Sequence, residues 1–165
     1  MEKVQGSTDT PLMECINPKR NKWRIRWGKV SVDESNAEWY ETDFDQKPTL
    51  EEVKDVVLAH YNSEIDKKIL SGFEWKGNKV WLSSENQFNY KAAYDLAVQT
   101  AGATLPITFK FGVDEPIYYT FRDLDDFTDF YVGCMTFIQT TLNEGWAAKD
   151  AIDWEQYDVE EEQNG

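Results

Sequence analysis

The chain has 165 residues and a formal net charge of −14 at neutral pH, and 15% of its residues are aromatic, including seven Trp. A chain of this length can bury an ordinary core, and so many aromatic side chains argue against intrinsic disorder of its body. No apolar run approaches the roughly 20 residues of a membrane span, and the polar first residues argue against a secretory signal. The two cysteines, Cys15 and Cys134, are too few for a disulfide framework, so we expect a reducing compartment.

Positive charge is concentrated in one short stretch. Between positions 19 and 29 the chain has no acidic residue and six basic ones: Lys19, Arg20, Lys22, Arg24, Arg26 and Lys29. Because the whole chain carries −14, the remainder carries −20. This basic strip is either a docking strip for an acidic partner or a second copy, or the solvent-facing side of one strand. The acidic remainder argues against nucleic-acid binding.

The first part of the chain predicts a hairpin followed by a helix. After a polar leader, residues 23–27 alternate Trp or Ile with Arg, which predicts a strand with an aromatic core face and a basic face. Residues 37–44 predict its partner strand. Thr49 and Glu52 form a capping box at the start of the helix, and Gly72 ends it. The apolar stripe of this helix comprises Leu50, Val53, Val57, Tyr61, Ile65 and Ile69.

The second part repeats this plan on a smaller scale. Residues 73–75 and 79–82 flank Gly77-Asn78, which predicts a tight hairpin with that pair at its tip. Ser84 with Gln87 predicts a capping box for the next helix. We expect this helix to pack closely against a sheet or another helix through a stripe of mostly small residues: Phe88, Ala92, Ala93, Leu96 and Ala97.

The third part again predicts a hairpin and a helix. Residues 107–111 and 117–121 are the strands, and Asp114, Glu115 and Pro116 turn the chain between them. Asp123 predicts the N-terminal cap of the last helix. Its apolar stripe comprises Leu124, Phe127, Tyr131, Cys134, Ile138, Leu142 and Trp146. The fold class is therefore α+β, with three consecutive β-hairpin–helix (ββα) units and antiparallel sheets packed on helices.

Residues that carry chemistry are sparse. His60 is the lone histidine, so we expect a structural role for it, and the cysteines lack zinc-ligand spacing. The cluster of Asp123, Asp125, Asp126 and Asp129 lacks the glycine and terminal Glu of a calcium loop, and it fits favourable charge at a helix N-terminus. Neither a glycine-rich phosphate loop nor a nucleophile elbow occurs. We expect no catalytic residue, no cofactor and no metal.

A family resemblance starts near Ile65. The run from Ile65 through Gly77 resembles the pattern I-D-x-x-I followed by G-F-x-[YW]-x-G in a phage and prophage domain of unknown function, found in small proteins near tail and tail-fibre genes. Further matches are residues 80–83, 90–97, 106–111, 121–124 and 145–147. The N-terminal residues look like those of related proteins from phages of gut anaerobes. The resemblance implies a ββαββα domain over 61–152, preceded by 1–60 with the basic hairpin and most of the first helix, and followed by an acidic tail over 153–165.

The resemblance implies a phage structural or assembly context, and it supplies no established activity and no catalytic residues. We expect a non-enzymatic protein that binds other phage structural proteins or itself, in the virion near the tail or fibres and in the host cytoplasm during assembly. Its alternative is an acidic DNA mimic or inhibitor of a host defence protein; an enzyme with a dispersed acidic site is a third hypothesis. Besides the hairpin tip, the candidate protein-binding residues are Lys22, Arg24, Arg26, Lys29, Trp154 and Tyr157, of which Trp154 and Tyr157 could latch the tail onto the body or onto another subunit.

Overall fold

The computed structural model describes residues 2–112 and 115–158. These residues form a mixed α+β protein with three α-helices and antiparallel sheets. By their contacts they fall into two compact units. The first unit holds the described parts of Met1–His60 and Ala151–Gly165, and the second unit is the described part of Tyr61–Asp150. The predicted acidic end with Glu160 to Glu162, and part of the turn at Asp114, lie outside the described residues.

A four-stranded antiparallel sheet organises the first unit. Its strand order is β1-β4-β3-β2, with β1 at Val4–Ser7, β2 at Met13–Asn17, β3 at Lys22–Ser31 and β4 at Asn36–Phe44. The hairpin of β3 and β4 agrees with the predicted strands, but the polar leader supplies both edge strands. The grouping of the strands into three ββα units is therefore not confirmed. No residue of β1 is buried, so it lacks the apolar alternation by which a strand is recognised in a sequence.

The helix α1 (Leu50–Ser71) starts in the first unit with the predicted cap. The amide of Glu52 donates to Thr49 Oγ1 at 3.2 Å, and the amide of Thr49 donates to Glu52 Oε2 at 2.8 Å, so the capping box is confirmed. Leu50, predicted on the buried stripe, is instead 37% exposed. The buried apolar residues of this unit are Met13, Ile25, Trp27, Ala37, Trp39, Val53, Val57 and Tyr157.

Two short hairpins and two helices make up most of the second unit. They are β5 (Phe73–Trp75), β6 (Asn78–Val80), α2 (Ser84–Gln99), β7 (Ile107–Phe111), β8 (Ile117–Phe121) and α3 (Leu124–Asp150). The first hairpin turns at Lys76 and Gly77, one residue before the predicted pair, because Asn78 already pairs with Trp75. Both turn residues have positive φ, 47° and 79°, as two-residue hairpin loops require.

An aromatic core holds the second unit together. Phe121, Phe127 and Phe130 are completely buried, and Phe130 lies within 5.5 Å, between ring centroids, of Trp75, Tyr90, Phe111 and Phe121. The predicted stripe of α3 included neither Phe130 nor Phe137, which packs against this core. It included Trp146, which is 48% exposed. Asp123 caps α3 as predicted, since its Oδ1 accepts from the amide of Asp126 at 2.8 Å.

Candidate interaction surfaces

Arg24, on the predicted basic strip, is neutralised by two carboxylates of the neighbouring strand. Because β3 and β4 are paired in register, Arg24 stands opposite Asp43. Its Nε and Nη2 donate to the two Asp43 oxygens at 2.5 and 2.9 Å, and its Nη1 lies 3.0 Å from Glu41 Oε1. The hydrogen bonds from Arg24 lower the pKa of the Asp43 carboxyl. This bidentate pair holds the side chain along the sheet.

Arg26 lies deeper than a docking residue would. Its side chain is 6% exposed. Its Nη2 donates to Glu14 at 2.5 Å, its Nε to Glu41 Oε2 at 3.2 Å, and its Nη1 to the Pro11 carbonyl at 2.9 Å. The guanidinium also lies over the ring of Trp39, 5.5 Å from the centroid. Arg26 therefore connects the leader segment to β3 and β4 of the sheet, which is a structural role for a buried cation.

The two lysines of the predicted site, Lys22 and Lys29, also have partners within the first unit. Lys22 pairs with Asp45 at 3.1 Å, and Lys29 donates to the carbonyls of Thr8 and Thr10. Around Arg24 and Arg26, two guanidinium groups meet three carboxylates: Glu14, Glu41 and Asp43. Three of the six basic residues of the strip, Lys22, Arg24 and Arg26, are therefore paired with carboxylates. The role of the strip in docking stays a prediction.

Trp154 and Tyr157 attach the C-terminal segment to the chain's own first unit. They lie on a short 3-10 turn at Trp154–Tyr157. Tyr157 is 4% exposed, and its hydroxyl donates to the Arg26 carbonyl at 2.6 Å. Lys54 lies 5.5 Å from the centroid of the Trp154 ring, on its face. The described part of the tail therefore latches onto the body, which was one of the two predicted alternatives. Whether either residue contacts a second protein stays a prediction.

The predicted hairpin tip is held down by a polar cluster. Lys76 Nζ lies 2.5 Å from an Asp126 carboxylate oxygen and 2.8 Å from the Tyr119 hydroxyl, which donates to Asp126 at 2.7 Å. Burial opposes ionisation of Asp126, but the hydrogen bonds from Lys76 and Tyr119 lower its pKa below the ordinary value. This cluster fixes the tip against β8 and the start of α3.

An apolar surface on α2 was missed by the sequence interpretation. Phe88, Ala92 and Leu96, which we call the α2 stripe, are all exposed, Phe88 by 70% and Leu96 by 50%. They follow each other at four-residue steps, so they lie on one face of the helix. The residues of α2 that face the core are Tyr90, Ala93, Tyr94 and Ala97.

The reason for the miss is that α2 is apolar on two sides. The predicted stripe joined residues of both faces, because Ala92 and Ala93, and Leu96 and Ala97, are sequence neighbours. The exposure of Phe88, which leaves 70% of its surface in solvent, distinguishes the two faces, and only the folded structure shows it.

The start of α2 also differs by one residue, since the Ser83 hydroxyl accepts from the Asn86 amide at 3.2 Å in place of the predicted pair of Ser84 and Gln87.

The side chains best suited to chemistry do not converge. His60 packs its ring against Trp27 and Tyr40, at centroid distances of 5.5 and 4.1 Å. Burial raises the pKa of the Cys134 thiol to about 12, which suppresses the reactive thiolate. Across residues 2–112 and 115–158, no three His, Cys, Asp or Glu side chains are grouped so as to hold a metal ion. No helix in this part of the chain is long and apolar enough to cross a bilayer.

An open cleft of about 460 Å³ lies in the second unit. Its walls combine apolar side chains, such as Ile69 and Leu82, with polar ones, such as Asp66 and Ser83. One polar group on its rim serves the backbone, because Gln87 Nε2 donates to the Leu82 carbonyl at 2.7 Å. The Ser83 hydroxyl is likewise engaged, because it accepts from the Asn86 amide at the start of α2.

Comparison with known families places most of these features in one domain. A family described as a domain of unknown function, DUF4376, matches residues 52–163, more than half of the chain. The chain belongs to the DUF4376 family. The DUF4376 match contains the second unit entirely, including the α2 stripe, and most of α1. The match confirms that the chain contains a domain of unknown function, whereas its phage origin and tail-gene context stay a prediction. No curated protein and no solved structure matches the chain.

Proposed function

We propose that this DUF4376 protein acts by binding another protein, without catalysis, as a structural or assembly protein of a phage particle near its tail or fibres. The observation that carries the binding role is the α2 stripe. Phe88 and Leu96 expose 70% and 50% of their surface, although the same helix buries a full apolar face elsewhere. Contiguous apolar side chains left in water mark interaction sites. The phage context rests on the sequence resemblance between Ile65 and Gly77.

The α2 stripe is better suited to this role than the basic strip. The guanidinium groups of Arg24 and Arg26 already have carboxylate partners, so docking through them would have to break bonds within the unit. Phe88 and Leu96 have no such competing interaction to lose, and their burial against a partner is favourable by about 1.5–3 kcal/mol each.

Particle incorporation tests the proposal directly. Particles are purified from lysates that express the full chain, and the chain is quantified by mass spectrometry in the particles and in the remaining lysate. We expect the chain in the particles, and we expect the variant Leu96→Glu to be depleted from them. Val98→Glu is the matched control, because Val98 lies on the same helix and is 48% exposed but lies off the stripe.

Two outcomes would contradict the proposal. A chain found in the lysate and absent from purified particles would favour the inhibitor of a host defence protein. Equal incorporation of Leu96→Glu, Val98→Glu and the unsubstituted chain would remove the α2 stripe as the binding surface.

A further inference from the structure

We infer that the α2 stripe binds the α2 stripe of a second copy of this chain, with the two helices antiparallel. The inference rests on the proposed function in one respect, namely that this surface binds protein; it adds the identity of the partner. It is argued from the placement of charge beside Phe88, Ala92 and Leu96.

The geometry of α2 makes its exposed face self-complementary. Ala92 lies at the centre of the stripe, with Phe88 and Leu96 each about 6 Å from it along the axis. If a two-fold axis passes by Ala92, Phe88 of one copy lies at the height of Leu96 of the other. The small side chain of Ala92 sits where the two helices cross, which permits the usual interaxial distance of about 8–10 Å. Both ends of the stripe then contact an apolar side chain.

The charges on the flank of the stripe select this antiparallel arrangement. Lys91 and Asp95 lie on the same side of the stripe and form an ion pair within the helix. In the antiparallel pair the same flank of both copies is adjacent, and Lys91 of one copy is about 3 Å, along the axis, from Asp95 of the other. The two Lys91 side chains are also about 3 Å apart along the axis, while the two Asp95 side chains are about 9 Å apart, so two opposite-charge contacts outnumber one close like-charge contact. A parallel pair would bring this flank against the one with Asn89, and would align the two helix dipoles unfavourably.

The size of the surface sets the strength of the dimer. The helix has 16 residues, so it is about 24 Å long, and a single helix face of this length buries less than a standard interface. We therefore expect a reversible dimer with a dissociation constant of roughly 1–100 µM. Such a dimer dissociates on dilution, which makes its equilibrium measurable.

Sedimentation equilibrium of the full chain across the micromolar range tests the inference. We expect a monomer–dimer equilibrium that Leu96→Glu weakens by about a hundredfold, because it places two carboxylates in the apolar contact. Val132→Glu, which places a carboxylate at an exposed apolar position of α3 outside the stripe and its flanks, should change the dissociation constant by less than about threefold. Circular dichroism and thermal unfolding of each variant show that it is folded. A wild-type chain that stays monomeric at the highest concentration would overturn the inference, as would equal effects of the two substitutions.

A charge-swap pair tests the antiparallel register. Lys91→Asp makes the flank wholly acidic and Asp95→Lys makes it wholly basic, so each variant alone should dimerise roughly tenfold more weakly. Mixed in equal amounts they should form a heterodimer, restoring affinity to within about threefold of the wild type. Failure of the mixture to recover affinity would contradict this register.

These results separate the inference from the proposed function. A monomeric chain whose incorporation into particles still depends on Leu96 would retain the protein-binding role and exclude self-pairing. A dimeric chain that is absent from particles would retain the pairing and exclude the phage-particle role.

Discussion

Replacing Arg26 should destabilise the first unit far more than replacing its neighbour Arg24. Arg26→Met keeps the length and apolar stem of the side chain but removes three donors. The Pro11 carbonyl and Glu14 then lose their donor, and Glu41, whose side chain is 16% exposed, loses one of its two guanidinium partners. Breaking a buried pair in this way costs about 3–5 kcal/mol.

The structure places the expected value near the lower end of that range. Glu41 keeps a contact with Arg24 at 3.0 Å and a hydrogen bond from Trp39 Nε1 at 3.0 Å, so it is not left bare. Glu14 is 36% exposed and can be hydrated. We therefore expect Arg26→Met to cost about 3 kcal/mol. Arg24→Met, whose side chain is 30% exposed in the parent, should cost about 1 kcal/mol or less.

Urea unfolding with hydrogen-exchange mass spectrometry measures the difference and localises it. The loss of protection should concentrate in peptides from β3, β4 and the leader, because Arg26 joins these segments. The Arg24 contribution should shrink with added salt, whereas the Arg26 contribution should persist, since buried charges are screened less. Equal costs for the two substitutions would refute the reasoning, because they would mean that the Arg26 guanidinium is effectively solvated.

Three further predictions concern the second unit. Tyr90→Phe should leave stability unchanged or raise it by about 1 kcal/mol, since the buried Tyr90 hydroxyl has no hydrogen-bond partner among the described residues. Tyr94→Phe should cost about 1 kcal/mol, because the Tyr94 hydroxyl donates to Thr128. Chemical denaturation compares the free energies of unfolding of the two variants. Burial raises the pKa of Tyr90 to about 12, so the folded chain keeps this phenol neutral at pH values where the unfolded chain ionises it. The free energy of unfolding should therefore fall as the pH rises from about 10 to 12. In an alkaline titration of stability, Tyr90→Phe should show a shallower fall. Gly145→Ala should lower the melting temperature, because the new Cβ would lie 2.2 Å from Ile65 Cδ1. The overpacking costs about 1–3 kcal/mol, which exceeds or matches the gain of about 1 kcal/mol in helix propensity. Adding Ile65→Ala to Gly145→Ala should relieve part of the overpacking cost.

Local signals in the sequence were reliable to within one residue where one short-range interaction decides the structure. The capping box of Thr49 and Glu52 and the cap by Asp123 are both present, because each needs residues within one helical turn. The alternation from Trp23 to Trp27 correctly predicted a strand with a buried aromatic face, as Ile25 and Trp27 show. These features depend on side-chain chemistry and backbone period alone.

The edge strands and the buried charge needed the tertiary structure. β1 and β2 are short, and their strand conformation comes from pairing with β4 and β3. Arg26 alternates like a solvent-facing residue, yet Trp39, Glu14 and the leader cover it. A period of two distinguishes the faces of a strand, but it does not say whether the second face is also covered.

The basic residues between 19 and 29 and the apolar residues of α2 show the same division. Composition and periodicity established a strongly acidic α+β chain with a local excess of positive charge, and they located its three helices. The pairing of β3 with β4 then set carboxylates opposite Arg24 and Arg26, and so neutralised both guanidinium groups. On α2 two apolar faces compete in the sequence, and only packing against Phe109, Phe127 and Phe130 decided which one is buried. The other face of α2, with Phe88 and Leu96, stays exposed and is the surface that we propose for a partner.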